Sequence, residues 1–157
     1  MKRSIGSLLF SVALLVPAMA MDQPGEGVKK LDGIWMFRGF LAGPAQPPVY
    51  VGSAQFMSNG VLSGSPIDQH TSPTVGQWIR TGNQEFAFTF VADTYDSLGN
   101  FANTHRVRGK LTLSEDGLSA TGKILLEFLD TAGNVIFTAP AATTFTGTRV
   151  VVLPLPL

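Results

Sequence analysis

The sequence predicts an all-β protein, an eight-stranded antiparallel up-and-down β-barrel. Short runs alternate between apolar and polar residues, and clusters of turn-forming residues separate the runs. No stretch combines sustained helical periodicity with helix caps. The 157 residues suit one domain, and 17 Gly and 10 Pro supply the turns.

Eight runs with a β pattern follow one another along the chain. The second and third meet at Ser58-Asn59-Gly60, and an Asn-Gly pair between two apolar runs is the strongest short hairpin signal. The longest polar loop covers Pro66 to Thr74, and the eighth run is long enough to bend at Pro140. The predicted strands are Gly33 to Leu41, Tyr50 to Met57, Val61 to Ser65, Val75 to Arg80, Glu85 to Tyr95, Phe101 to Leu113, Leu118 to Leu129 and Val135 to Val150.

Turn residues end each of the other runs. The connections that define them are Ala42-Gly43-Pro44, Thr81-Gly82-Asn83, Asp96 to Asn100, Glu115-Asp116-Gly117 and Asp130 to Asn134. Short connections force consecutive strands to be antiparallel neighbours, and closure of eight such strands removes both exposed edges. A β-sandwich is the alternative, but its Greek-key topology needs longer connections than this chain has. We therefore predict a closed barrel.

The sixth run indicates which face is inside. Arg106, Arg108 and Lys110 share one face and are expected to be solvated, because an unpaired buried charge is costly. His105 lies on the opposite, interior face. The predicted interior residues that would contact an apolar ligand are Phe37, Phe56, Phe86, Phe88, Phe90, Phe101, His105 and Phe128.

Two interpretations of this interior stay open. The phenylalanine rings either fill the barrel axis or line a cavity for an apolar molecule. Glycines at Gly52, Gly64, Gly109 and Gly122 remove side chains from predicted strands. They either open volume or permit sharp bending of the wall.

Residues 1–20 are typical of a secretory signal. Lys2 and Arg3 precede an apolar stretch from Ile5 to Val16, and Ala18-Met19-Ala20 is a small-x-small cleavage motif. Cleavage after Ala20 would give a periplasmic or secreted protein with no membrane span. The predicted organisation is a signal at 1–20, a flexible leader at 21–31, the barrel domain at 32–150 and a C-terminal tail at 151–157.

The first and last strands carry a family resemblance. Gly33-Ile34-Trp35 opens the first and Gly147-Thr148-Arg149 closes the last, a pairing that resembles the lipocalin/calycin signature. The resemblance implies that Trp35 plugs one end of the barrel and that Arg149 packs across it, with Gly33 completing the signature. Turn segments such as Asp96 to Phe101 and Asp130 to Val135 also resemble those of small secreted bacterial proteins of unestablished role.

Composition excludes several classes of chemistry. The chain has no cysteine, so it forms neither disulfides nor thiolate sites, and its two histidines do not give a metal-hydrolase spacing. Lys+Arg and Asp+Glu both number 11, which argues against binding to nucleic acid. We predict no metal and no cofactor.

A few polar residues are candidates for chemistry. His105 would steer a ligand's polar head, act as a general base, or be a buried histidine satisfied by hydrogen bonds. His70 and Asp68 would form an acid–base pair if their loop covers the barrel mouth; otherwise they are solvated. The turn from Asp96 to Asn100, with Asp93 and Tyr95 beside it, offers too few oxygen ligands for calcium.

Three functions follow from this interpretation. The first is an exported barrel that binds a small apolar ligand in its lumen. The second is a barrel isomerase or cyclase that resembles the allene-oxide-cyclase or dirigent type, with His105 the only candidate catalytic group; enzymatic activity is uncertain and less favoured. The third is a packed barrel that serves as a structural or interaction module, and an oligomer is compatible with each. An open interior void of roughly 300 Å³ or more would favour the first two.

Overall fold

The computed structural model describes residues 30–40, 47–66, 70–139 and 143–153. The predicted signal, and residues 21–29 of the leader, lie outside the described residues. Every regular element within the described ranges is a β-strand. The strands are β1 (Gly33–Phe40), β2 (Tyr50–Phe56), β3 (Val61–Pro66), β4 (Thr74–Arg80), β5 (Glu85–Tyr95), β6 (Phe101–Leu113), β7 (Ser119–Leu129), β8 (Val135–Thr138) and β9 (Thr143–Arg149).

The sheet closes on itself. Neighbouring strands run antiparallel in the order β6-β5-β4-β3-β2-β1-β9-β7, and pairing of β6 with β7 completes the ring. The predicted eight-stranded antiparallel up-and-down barrel is therefore confirmed. Each predicted hairpin connection within the described ranges joins the expected pair of strands.

The predicted eighth strand, Val135 to Val150, is two strands. β9 pairs with the first half of β7, from Ser119 to Ile124, while β8 pairs with its last three residues, Glu127 to Leu129. The break between them includes Pro140, which lies outside the described residues. Within the described strands, β8 has β7 as its only neighbour, so β8 is an edge beside an otherwise closed wall.

The two ends of the barrel differ. At the plugged end, where β1 begins, the side chains of Leu31, Trp35 and Leu111 are fully buried. At the other end, which we call the mouth, β1 ends and β6 begins. Two mouth turns, 96–100 and 130–134, share one design: the first residue is an aspartate whose Oδ1 accepts hydrogen bonds from two later backbone N–H groups. A glycine with positive φ completes each turn.

Phenylalanines on the inner wall lie opposite glycines of the neighbouring strand. Phe37 pairs with Gly147, Phe88 with Gly109, and Phe145 with Gly122. A Cβ atom built on any of these glycines would overlap the ring opposite. These three glycines, which include Gly109 and Gly122, therefore accommodate aromatic rings rather than opening a void.

One predicted inward residue lies on the outer side of the wall. Pairing between β5 and β6 runs Thr94 with Asn103 and then Tyr95 with Phe101, so Ala102 is an extra, unpaired residue. Such a bulge reverses the alternation of faces. Phe101 is 42% exposed and is not among the interior residues. The prediction that Phe101 faces the lumen was wrong for this reason.

Substituting Gly109→Ala tests the pairing of rings with glycines. The added methyl group would collide with the Phe88 ring and with Ile124. Overpacking of this kind costs about 1–3 kcal/mol of unfolding free energy. Urea unfolding of the purified protein measures this change.

Gly39→Ala is the matched control. Gly39 also lies on the inner wall, but the nearest atoms to its added methyl group, on Tyr50 and Thr143, are 3.4 and 3.6 Å away. These are ordinary contacts, so we expect a loss below about 1 kcal/mol. Equal destabilisation by the two variants would contradict the packing of Phe88 on Gly109.

Candidate functional site

The plugged end is closed by Trp35 and Arg149. The indole is fully buried and donates its Nε1–H to the carbonyl of Leu31 at 2.9 Å. The guanidinium carbon of Arg149 lies 4.5 Å from the centre of a Trp35 ring, a cation–π geometry. Arg149 also donates to the carbonyls of Gly117, at 2.9 Å, and of Asp32. Arg149 therefore ties the entry to β1 and the β6–β7 turn across the barrel end.

Gly33 belongs to the same arrangement. Its φ is 129°, in the region that favours glycine, and an added Cβ would meet the Arg149 guanidinium 2.8 Å away. Burial lowers the pKa of Arg149 from its usual value, and the carboxylate of Asp32 opposes that shift. The three signature residues therefore meet at one barrel end.

Aromatic rings fill the barrel axis above this plug. Phe37 contacts Trp35 and Phe145 at centroid distances of 6.3 and 5.5 Å, and Phe145 contacts Phe88 at 6.0 Å. Ring contacts continue across the lumen to the opposite side of the barrel. The remaining members of this network are Phe56, Trp78, Phe86 and Phe90.

A small cavity remains in the half of the lumen near the mouth. Its volume is about 50 Å³, and its lining is mostly apolar. An apolar cavity of about 150 Å³ can hold benzene, and pockets for larger ligands start at about 300 Å³. The cavity is therefore too small for the apolar ligand that the sequence suggests. It is lined by Phe37, Gly39, Tyr50, Ser53, Ala54, Phe56, Leu62, Thr74, Phe88, Phe90, Ile124 and Phe145.

Tyr50 is a cavity residue that our sequence analysis missed. Although 38% of the residue is exposed, its hydroxyl reaches inward to Gly52, where an added Cβ would collide with it. Burial of the phenol raises the pKa of Tyr50 above its usual value of 10.0. Alternation along β2 was the available signal, because Tyr50 shares a face with Gly52 and Ala54.

The predicted ligand-contacting residues separate into different regions. Four line the cavity: Phe37, Phe56, Phe88 and Phe90. Phe86 is almost fully buried and packs on Trp78 at 5.7 Å, in the plugged half. His105 and Phe128 are half-buried, contact each other at 4.5 Å, and do not line the cavity. Phe101 lies outside the lumen.

Of the predicted acid–base pair in the loop before β4, the structure describes only His70. His70 is exposed, and its carbonyl accepts a hydrogen bond from the Tyr95 N–H at 2.8 Å. Ser72 is also bonded to β5, since its N–H donates to the Asp93 carbonyl at 2.8 Å. Asp68 lies outside the described residues. The end of this loop is therefore fastened along β5.

The sequence led us to expect that the cations of β6 are solvated, but two of them form ion pairs. Glu127 on β7 accepts from Arg106 Nε at 2.8 Å and from Arg108 Nη2 at 2.9 Å. The carboxylate side chain is 7% exposed, whereas the two arginine side chains are 33% and 53% exposed. The hydrogen bond from Arg106, more than any other contact, lowers the pKa of Glu127 below 4.5. Lys110 remains exposed on this face.

The outer wall carries a groove near the mouth. Its volume is about 430 Å³, and it lies between the β5–β6 and β7–β8 hairpins. Asp93, Thr104 and Leu129 are consecutive partners across β5, β6 and β7 and form its floor. The exposed ring of Phe101 and the turn that begins at Asp130 complete its lining. This groove is larger than the lumenal cavity and is open to solvent.

Comparisons with family models, with curated proteins and with solved structures give no match. Within the described ranges, no three His, Asp or Glu side chains are grouped as a metal site. No helix in that part of the chain has the length and apolarity to cross a membrane. Functional inference therefore rests on the geometry of the chain itself.

Substituting Glu127→Gln tests the ion-paired carboxylate. The folded-state pKa lies below the unfolded value near 4.5, so ionised Glu127 stabilises the fold above that pH. This stabilisation is lost as pH falls through the depressed folded pKa. We expect the variant to be less stable at neutral pH and to lose less stability on acidification, as measured by thermal unfolding across that range.

Glu115→Gln is the control for this measurement, because Glu115 is an exposed carboxylate in the β6–β7 turn at the plugged end. This variant should lose as much thermal stability on acidification as the parent protein does. If the two variants had the same pH profile, Glu127 would not contribute through its ion pairs.

Proposed function

We propose that the protein is an exported β-barrel that acts as an interaction module through its outer surface, with the lumen serving as its packed core. The observation that carries this proposal is the aromatic network along the axis, beside which the lumenal cavity measures only about 50 Å³. Burial of one phenylalanine contributes about 1.5–3 kcal/mol, so the ring network supplies a large part of the stability of a small domain. Emptying the axis for a ligand would forfeit these contacts.

Export is part of the proposal. It rests on the charged start, apolar stretch and Ala18-Met19-Ala20 motif of residues 1–20. The signature residues Gly33, Trp35 and Arg149 support a relationship with lipocalin/calycin-like secreted barrels of unestablished function. In such a relationship the barrel architecture would be shared, while the open ligand cavity would be replaced by packed side chains.

Binding of an apolar ligand in the lumen is the second candidate function. The apolar lining of the cavity and the Tyr50 hydroxyl, which could meet a polar head group, favour it. A ligand would have to displace rings such as Phe88 and Phe90, which stack on each other at 6.0 Å. A lumenal isomerase or cyclase is less favoured, because His105, the candidate catalytic group, does not line the cavity.

Native mass spectrometry of protein purified from its own host tests the proposal. We expect the mass of the chain from Met21 onward with no stoichiometric adduct, since the axis is filled and the signal is removed. Benzene titration followed by NMR should give no shifts of lumenal residues. A lipid-like mass at one equivalent, or saturable benzene binding, would overturn the proposal, and a chain that retains residues 1–20 would overturn export.

An Ile124→Ala variant shows whether the titration can detect lumenal binding. Ile124 lines the cavity and packs against the core cluster, so its truncation enlarges the space at a cost of roughly 2–5 kcal/mol. We expect benzene to bind this variant and not the parent protein. Binding to both proteins would mean that the parent lumen is already open.

A further inference from the structure

We propose that the outer groove beside the mouth binds a cationic side chain, arginine or lysine, carried by a basic peptide segment of a partner protein. This inference rests on the proposed function, which places activity on the outer surface. Beyond the proposed function, this inference specifies the binding site and the positive charge of the partner.

The groove combines concavity with an aromatic ring and uncompensated negative charge. Its lining includes two carboxylates, Asp93 and Asp130, and no basic residue. Within the described part of the chain, neither carboxylate forms a salt bridge. Arg106 follows Thr104 on the same face of β6, but Glu127 already binds its guanidinium. The two carboxylates of the groove can therefore pair with a cationic ligand.

Both carboxylates are held in place by neighbouring groups. Asp93 Oδ1 accepts the Thr104 hydroxyl at 2.7 Å. Asp130 accepts the backbone N–H groups of Ala132 and Asn134 at 2.9 and 2.8 Å. The Asn134 side chain also donates to Asp130, and these hydrogen bonds lower the pKa of Asp130 below 3.8. Neutral donors orient the two groups without cancelling their charge, so the groove is preorganised for a cation.

Phe101 supplies the third element of the site. The residue is 42% exposed, because the bulge at Ala102 places it on the outer side of the wall. An aromatic face beside carboxylates attracts a guanidinium or ammonium group through cation–π interaction. Leu129, 8% exposed, gives an apolar floor for the methylene part of a long basic side chain. The groove therefore fits both ends of an arginine or lysine side chain.

NMR titration with a capped tetra-arginine peptide tests this site. We expect fast-exchange shifts at the amides of Thr104, Leu129 and Gly133, with binding weakened by added salt. The uncharged tetra-citrulline peptide should not bind. Asp93→Asn and Phe101→Ala should each raise Kd about three- to fivefold, as an exposed ion pair and an exposed cation–π contact imply. Unchanged thermal unfolding of both variants would show that their folds are intact.

Glu115→Gln removes the same charge at the opposite end of the barrel and is the matched control, with Kd expected within about twofold of the parent value. Equal binding of the citrulline peptide, equal effects of Asp93→Asn and Glu115→Gln, or no binding of the arginine peptide would each overturn the inference.

A free arginine amide that binds as tightly as the peptide would indicate a small-molecule site and contradict the peptide partner. If the peptide fails to bind while the lumen is empty, only this inference fails; an occupied lumen would overturn the proposed function.

Discussion

The structure depends on phenylalanine rings that lie over glycines of the adjacent strand. A glycine opposite a ring leaves space for that ring to lie against the wall and extend to the barrel axis. Phe37 on Gly147, Phe88 on Gly109 and Phe145 on Gly122 repeat this arrangement around the barrel. Phe145 then contacts Phe37 and Phe88 at centroid distances of 5.5 and 6.0 Å. Closure of the sheet and filling of its axis are thus coupled by the same residue pairs.

Filling of the axis has consequences for where chemistry can occur. The interior is apolar and closed at one end by Trp35 and Arg149, so it holds few polar groups and little free volume. Charged and hydrogen-bonding side chains are concentrated outside, in the Arg106–Glu127–Arg108 cluster and in the groove beside the mouth. The rigid barrel holds these groups in fixed register across β5, β6 and β7. The wall therefore fixes the positions of the groups that form the proposed outer binding surface.

Local patterns predicted most of the fold. Turn residues marked the hairpins, and alternation placed Phe88 and His105 on the inner face, because both signals act over a few residues. The outward position of Phe101 was not predictable, since it depends on a bulge at Ala102 for which the sequence has no local sign. The sequence left open whether the lumen is filled, and the Glu127 ion pairs were missed. Both depend on cross-strand register, which sets the residues opposite each ring and charge.

Ring-to-ring NOEs in protein carrying labelled phenylalanines test the filled axis most directly. Phe145 packs edge-to-face between Phe37 and Phe88. Packing on the axis predicts strong cross-peaks from Phe145 to both rings in protein isolated from its own host. Absence of these cross-peaks, with NOEs from the same rings to a non-protein molecule, would show an occupied lumen and contradict the packed core.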